Sequence, residues 1–146
     1  MIEGVVVSPL KIIDVSGGDV LHVLKHDDLG FAGFGEAYFS TINAGEVKAW
    51  KRHKKMVTNL VVPVGIIRFV LFDERKGSAS CGTYYEIVLS RKNYSRLTIP
   101  PMIWFGFQSL GEKMGIVLNI ASIKHVAEES EKKEIKEIPY DWSVMK

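Results

Sequence analysis

Cysteine is almost absent from this 146-residue chain. Cys81 stands alone, which excludes an intramolecular disulfide and any four-cysteine zinc site. A strong charge of one sign is missing too. Nineteen Lys and Arg against seventeen Asp and Glu leave a formal net charge of +2, whereas a chain that lives on a nucleic-acid backbone carries a larger, clustered cationic excess. Nucleic acid is therefore not an expected partner. No apolar run reaches the roughly 20 residues that a membrane-spanning helix needs, so a membrane is not an expected partner either. The start, Met1-Ile2-Glu3-Gly4-Val5, has neither the basic opening nor the apolar stretch of a secretory signal. The expected location is a reducing cytoplasm. With 47% hydrophobic and 25% charged residues the chain is not a disordered polymer, and its length fits one domain spanning 1–146.

What is present is a series of short apolar runs cut by turn residues. Val5 to Val7 stops at Pro9, Asp19 to Leu24 follows Gly17-Gly18, and Ala37 to Ile42 stops at Asn43-Ala44-Gly45. Glu46 to Trp50, Asn59 to Val64, Ile66 to Phe72, Thr83 to Leu89, Arg96 to Ile99, Trp104 to Ser109 and Gly115 to Ala121 complete the set. Strands at about ten-residue spacing, rich in Val, Ile and aromatics, predict an all-β sandwich or barrel. Val64-Gly65-Ile66 reads as either a tight hairpin or a bend from strand to strand. From Glu128 to Lys136 the chain is mainly Glu and Lys, with i,i+4 pairs (Glu128 with Lys132, Glu129 with Lys133) that suit a short surface helix or a solvated tail. Ile138-Pro139-Tyr140-Asp141-Trp142 reads as an anchor, since two large aromatics this close together pack somewhere.

The densest chemistry is Lys48-Ala49-Trp50-Lys51-Arg52-His53-Lys54-Lys55, a cationic run that carries a tryptophan and opens into an apolar strand. Composition alone makes such a run a solvated loop. Its context allows some of these groups to face a cavity instead. By strand alternation Lys51 and His53 share one face with Val47 and Ala49, while Lys48, Trp50 and Arg52 point the other way, unless a bulge changes the parity.

Gly45-Glu46-Val47-Lys48-Ala49-Trp50-Lys51 resembles, without a gap, the Gly-Val-Leu-Arg-Gly-Leu-His motif of the dTDP-4-dehydrorhamnose 3,5-epimerases. Downstream, Leu60 to Gly65, Asp73-Glu74-Arg75 and Ser78-Ala79-Ser80-Cys81-Gly82 are similar to that family's strand, Asp-x-Arg and Ser-Pro-Thr-x-Gly turn. Ile99-Pro100-Pro101-Met102-Ile103-Trp104-Phe105-Gly106-Phe107 is similar to its Ile-Pro-Pro-Gly-x-x-His-Gly-Phe. The resemblance covers residues 15 to 122. It implies a single cupin-type jelly-roll β-barrel or sandwich with a short charged C-terminal segment, paired as a homodimer, acting on a nucleotide-diphosphate sugar.

The departures from that pattern carry as much information. Lys51 stands where the family has its general base, a His, and Lys48 replaces its phosphate-binding Arg, losing the bidentate fork. The family's enolate-stabilising Lys falls near Thr58 or Asn59. The late strand, Val117 to Ser122, has no counterpart of the catalytic Tyr, and no C-terminal counterpart of the Asp that orients the His is visible. At the spacing of metal-binding cupins the chain offers Lys51, His53, Thr58 and Phe105, and a lone His does not hold a divalent ion. No catalytic metal and no cofactor are expected.

Epimerisation beside a ketone needs a base, an acid on the opposite face and stabilisation of the enolate. Lys51, as the base, and His53 are the expected catalytic pair, since burial and neighbouring cations push a lysine towards its free-amine form; a Lys51 that only neutralises a diphosphate, or lies in solvent, is the other reading. Lys48 and Arg52 are expected on the phosphates, and Tyr38 or Trp104 stacked on the base, with Trp104 equally readable as core. By the resemblance, Glu36, near a family Gln that contacts substrate, and Asn59, near the family Lys, are expected substrate contacts, and Asn119 joins them; a buried Asn119 needs a partner, either a ligand hydroxyl or a structural one. His22 aligns near a family Glu, though a satisfied core or surface histidine is the commoner case; His26 and His125 carry no signal, and Cys81 has no base beside it in sequence. The expected activity is that of a nucleotide-sugar epimerase on a 4-keto sugar nucleotide, in surface-polysaccharide sugar synthesis. The alternatives are a non-catalytic sugar-nucleotide-binding cupin and a sugar-nucleotide ketoisomerase.

Overall fold

Among the described residues, twelve strands form where β-branched and aromatic residues run between turn formers. The computed structural model describes residues 1–143. The strands are β1 (Val6–Pro9), β2 (Ile12–Ile13), β3 (Val20–Leu21), β4 (Glu36–Ile42), β5 (Val47–His53), β6 (Thr58–Val64), β7 (Ile66–Asp73), β8 (Tyr84–Ser90), β9 (Ser95–Ile99), β10 (Ile103–Ser109), β11 (Gly115–Ala121) and β12 (Ser130–Lys132). Two five-stranded antiparallel sheets result, ordered β1-β9-β6-β11-β4 and β12-β5-β10-β7-β8, with β2 and β3 as a separate ribbon. This is the all-β architecture that the strand pattern predicts, in the jelly-roll form that the resemblance implies. The run Asp19 to Leu24 is strand only at Val20–Leu21.

The sheets pack face to face. Leu60, Val62, Leu97, Ile99 and Val117 from the first meet Ile67, Phe69, Leu71, Leu89, Ile103 and Phe105 from the second. Excluding water from this apolar layer is the main force holding the sheets together. Gly65 carries the chain from β6 in one sheet directly to β7 in the other, so it is a bend and not a hairpin. Its φ of +97° suits glycine, and a Cβ there would sit 2.8 Å from the Gly115 Cα.

A second apolar cluster lies on the outer face of the second sheet, where Trp50, Val70 and Trp104 receive Ile138 and Trp142. The expected C-terminal anchor thus docks under the charged segment. That segment is not a helix. Ala127–Glu129 and Ile135–Glu137 are single 3-10 turns flanking β12, which pairs with β5 at Ser130↔His53, Glu131↔Arg52 and Lys132↔Lys51. A nine-residue helix is marginal in water, and each i,i+4 ion pair adds only about 0.2–0.5 kcal/mol. The open edge of β5 offers ladder hydrogen bonds instead. The charges also find partners across the fold: Glu131 with Arg52, and Lys133 with Glu74.

Candidate functional site

The site is made by an irregularity in β5. Phe105 of β10 faces Lys51, but Phe107 faces Lys48, so two residues of β5, Ala49 and Trp50, stand against the single Gly106. That position must be glycine, because a Cβ on residue 106 would lie 2.5 Å from the Ala49 Cβ. The bulge changes the parity that simple alternation predicts. Lys48 turns to the inner side with Lys51, whereas Val47, Ala49 and Trp50 pack with the outer cluster, Ala49 and Trp50 also bordering the cavity.

Lys48 and Lys51 line a cavity of about 370 Å³. Phe105 and Phe107 from the second sheet form an aromatic wall. Tyr38, Ser40 and Asn119 face it from the first sheet, and Lys132 enters from β12. A second, polar cavity of about 340 Å³ adjoins it, lined by Lys51, Lys132, His125 and Ser130. Three lysines therefore border the first cavity, and Lys48 is fixed by donating to the Thr41 carbonyl at 2.6 Å.

His53 lies beside Lys51, buried at 5% exposure, with its ring stacked on Phe105. Its Nδ1 is 2.7 Å from Glu129 Oε2, while Glu129 Oε1 accepts the backbone N–H groups of Lys55 and Met56, each at 2.8 Å. A carboxylate held this way is an acceptor, so Nδ1 carries the hydrogen and Nε2 keeps its lone pair. The turn that opens the C-terminal segment thus supplies a carboxylate that orients His53, two positions beyond the Lys51 site for which the family's orienting Asp was sought. The signal was hidden because Glu129 sits in a Glu/Lys run whose composition describes solvent.

The protonation equilibria follow from burial. Burial lowers the Lys51 pKa from the ordinary lysine value and the Lys132 charge adds to this, against the opposing pull of Glu129 and Glu36. Burial also lowers that of His53, against the hydrogen bond to Glu129. Burial would raise Glu129, but the Lys55 and Met56 amides and His53 hold it below the usual carboxylate range. Burial, then Glu36, raises the Tyr38 phenol, which stays protonated at neutral pH.

The remaining expected residues divide. Asn119 lines the cavity, and its Nδ2 donates to Ser40 Oγ at 3.1 Å and the Val117 carbonyl at 3.2 Å. Glu36 lies at the start of β4 and accepts from the His125 amide. Arg52 is on the outer face, bonded to Glu131 and Glu74 and stacked 4.5 Å over Trp104, so it is not on the cavity side where the phosphate role requires it. Trp104 is core: its Nε1 donates to Glu74 and its faces are covered by Arg52 and Lys133. Asn59 is spent on the Gly30 carbonyl and the Thr98 hydroxyl. Sequence reasoning missed Ser40, Phe107, Lys132 and Glu129. For Phe107 the alternation with Phe105 was a usable signal, and for Lys132 there was none. Among the described residues no group of three His, Cys, Asp or Glu side chains is placed to hold a metal, and no helix is long and apolar enough to cross a membrane.

Known proteins can be set against this geometry. No family model matches the chain. A crystal structure of a dTDP sugar isomerase from Desulfovibrio desulfuricans G20 superposes with a TM-score of 0.95 and 40% identity, over 99% of this chain and 94% of that one. The dTDP-4-dehydrorhamnose 3,5-epimerase of Sulfolobus tokodaii superposes with a TM-score of 0.84 and 25% identity, over 97% and 82% of the two chains. A probable low-salt glycan biosynthesis epimerase, Agl13 of Haloferax volcanii, is 29% identical over 106 residues, which are 72% of this chain and 66% of that protein. With such agreement in sequence and in strand-by-strand geometry, the chain belongs to the family of dTDP-4-dehydrorhamnose 3,5-epimerase-like proteins and dTDP sugar isomerases.

Proposed function

We propose that this protein is a sugar-nucleotide epimerase that removes a proton beside the ketone of a 4-keto sugar nucleotide, in the synthesis of a surface polysaccharide. The observation that carries the reading is the cavity between the sheets, with Lys51 on one wall, His53 buried beside it against Phe105, and a protonated Tyr38 on the opposite wall. Inverting a carbon requires a base on one face and an acid on the other, and the two sheets supply them. His53, oriented by Glu129, is the base. Tyr38 is the acid; it pairs in register with Asn119, on the strand where the family Tyr is missing. Lys48 and Lys132 meet the diphosphate, while Asn119 and Ser40 meet sugar hydroxyls. Glu36 tunes the charge beside Lys51 and Tyr38. Arg52, Trp104 and Asn59 are left to the scaffold. We take the chain as one cupin-like domain working as a cytoplasmic homodimer. The exposed edge strand β4, with Phe39 at 67% exposure, supports pairing of two copies.

The test is solvent deuterium incorporation into dTDP-4-keto-6-deoxyglucose. Wild type exchanges the protons beside the ketone and inverts the carbon; His53→Ala loses exchange, and Tyr38→Phe loses inversion. Unchanged exchange in Lys51→Ala removes Lys51 from the mechanism. Thermal stabilisation by the nucleotide sugar with no exchange would identify a binding protein instead. A second reading, a ketoisomerase that moves the carbonyl to the adjacent carbon, has the 40%-identical sugar isomerase in its favour. It begins with the same proton abstraction, and NMR of the product separates the two.

A further inference from the structure

Removing a proton beside a ketone leaves an electron pair that must be held somewhere. Lys51 is placed to hold it in an unusual way. Lys132 is its direct ladder partner across β5 and β12, and both side chains border both cavities. Among the described residues, no carboxylate lines either cavity and none lies within ion-pairing distance of Lys51. The other lysines nearby are tied down, Lys48 by the Thr41 carbonyl and Lys133 by Glu74. A partly buried lysine beside another cation, facing an aromatic wall and lacking an anionic partner, is the setting in which an amine becomes a nucleophile towards carbonyls. The groups around it are Lys48 and His53 on β5, Glu36 and Tyr38 on β4, Lys132 on β12, and Glu129 and His125 on the C-terminal segment. Burial and Lys132 favour the free amine, and Glu129 and Glu36 oppose them.

Resting on the epimerase reading above, we propose that Lys51 Nζ condenses with the substrate ketone to form a protonated imine, and that this imine is the electron sink of the reaction. The amine adds to the carbonyl carbon. The carbonyl oxygen takes one proton from the nitrogen and one from Tyr38 or solvent, and leaves as water. The nitrogen keeps one hydrogen and a positive charge in the C=N bond. His53 Nε2 then removes a proton from a carbon next to that bond, and the electron pair moves to nitrogen, giving a neutral enamine. Protonation from the opposite face restores the iminium with that carbon inverted. Water hydrolyses it, returning the ketone and the amine. One iminium acidifies both carbons that flank the original carbonyl, so a single lysine serves either position.

Sodium cyanoborohydride added to wild-type protein turning over dTDP-4-keto-6-deoxyglucose tests this. The expected result is one reduced sugar-nucleotide adduct per chain by intact mass, mapped to Lys51 by peptide sequencing and absent from Lys51→Arg, which keeps the charge. In water enriched in oxygen-18, wild type is expected to speed exchange of the ketone oxygen by at least about tenfold over buffer. Deuterium uptake by wild type with no adduct and no oxygen exchange would overturn the imine and leave the epimerase reading standing. An adduct that persists in folded Lys51→Arg overturns the imine as well. Neither deuterium uptake nor thermal stabilisation would overturn both readings.

Discussion

His53 and Glu129 are 76 positions apart in sequence and 2.7 Å apart in the fold. At the residue scale, this contact decides which imidazole nitrogen can act. Glu129→Gln keeps an acceptor for the two amides but removes the charge that favours Nδ1–H, so it is expected to lower kcat by about 10²–10⁴-fold while the fold survives, as read by steady-state rates and circular dichroism. Lys132 acts on Lys51 through its charge. Removing a cation raises the pKa of a neighbouring amine, so Lys132→Met is expected to move the acidic limb of the kcat/KM profile to higher pH. At neutral pH kcat/KM should fall with it. An unshifted limb in a folded variant would show that Lys132 contributes only packing or substrate charge. Lys51 and His53 were readable as a pair because a period of two puts them on one face. Their partners were not, because nothing local links β5 to the turn at Ala127–Glu129.

At the scale of elements, the bulge in β5 decides the chemistry of the cavity. It turns Lys48 inward and leaves Arg52 outside, and it exists because Gly106 lets the β5 backbone approach. Gly106→Ala is expected to force β5 away, costing about 1–3 kcal/mol and weakening sugar-nucleotide binding, as measured by denaturant melts and calorimetric titration. Native stability with native binding would show that the bulge is not what sets the site. Sequence periodicity located nearly every long strand, because Val, Ile and aromatic runs between turn residues leave little choice. It could not locate the bulge, since an extra residue is defined only by what lies opposite. It also misassigned the segment from Glu128 to Lys136, where the edge of β5 outcompetes a helix that has only weak charge pairs to hold it.

At the scale of the whole molecule, buried charge holds the N-terminal segment to the sandwich. Asp73 is fully buried. Burial alone would raise its pKa, but hydrogen bonds from Arg75, Ser80 and Ser78 hold it far below the usual carboxylate range. Arg75 also donates to the Glu3 carbonyl and Ser80 Oγ accepts from the Glu3 amide, which ties down the N-terminal segment. A carboxylate depressed in the folded state contributes its stability above the unfolded pKa of about 3.9 and loses it as pH falls further. Asp73→Asn is therefore expected to cost about 3–5 kcal/mol at pH 7, with the gap to wild type narrowing as melts are taken below pH 4. A gap that stayed constant with pH would mean that shape, and not charge, is what Asp73 supplies.

The amino-acid sequence by itself determined the two-sheet sandwich, the family neighbourhood, and the concentration of cations on one strand. Each is written in local pattern: period-two hydrophobicity, turn residues, and ungapped motifs. Only the tertiary structure decided which of those cations face the cavity, that Trp104 and Arg52 belong to the scaffold, and that the tail brings Glu129 and Lys132 to the site. Those outcomes depend on strand pairing and on competition for a sheet edge, and pairing between distant segments is settled by the free energy of the whole sandwich rather than by any short stretch of chain.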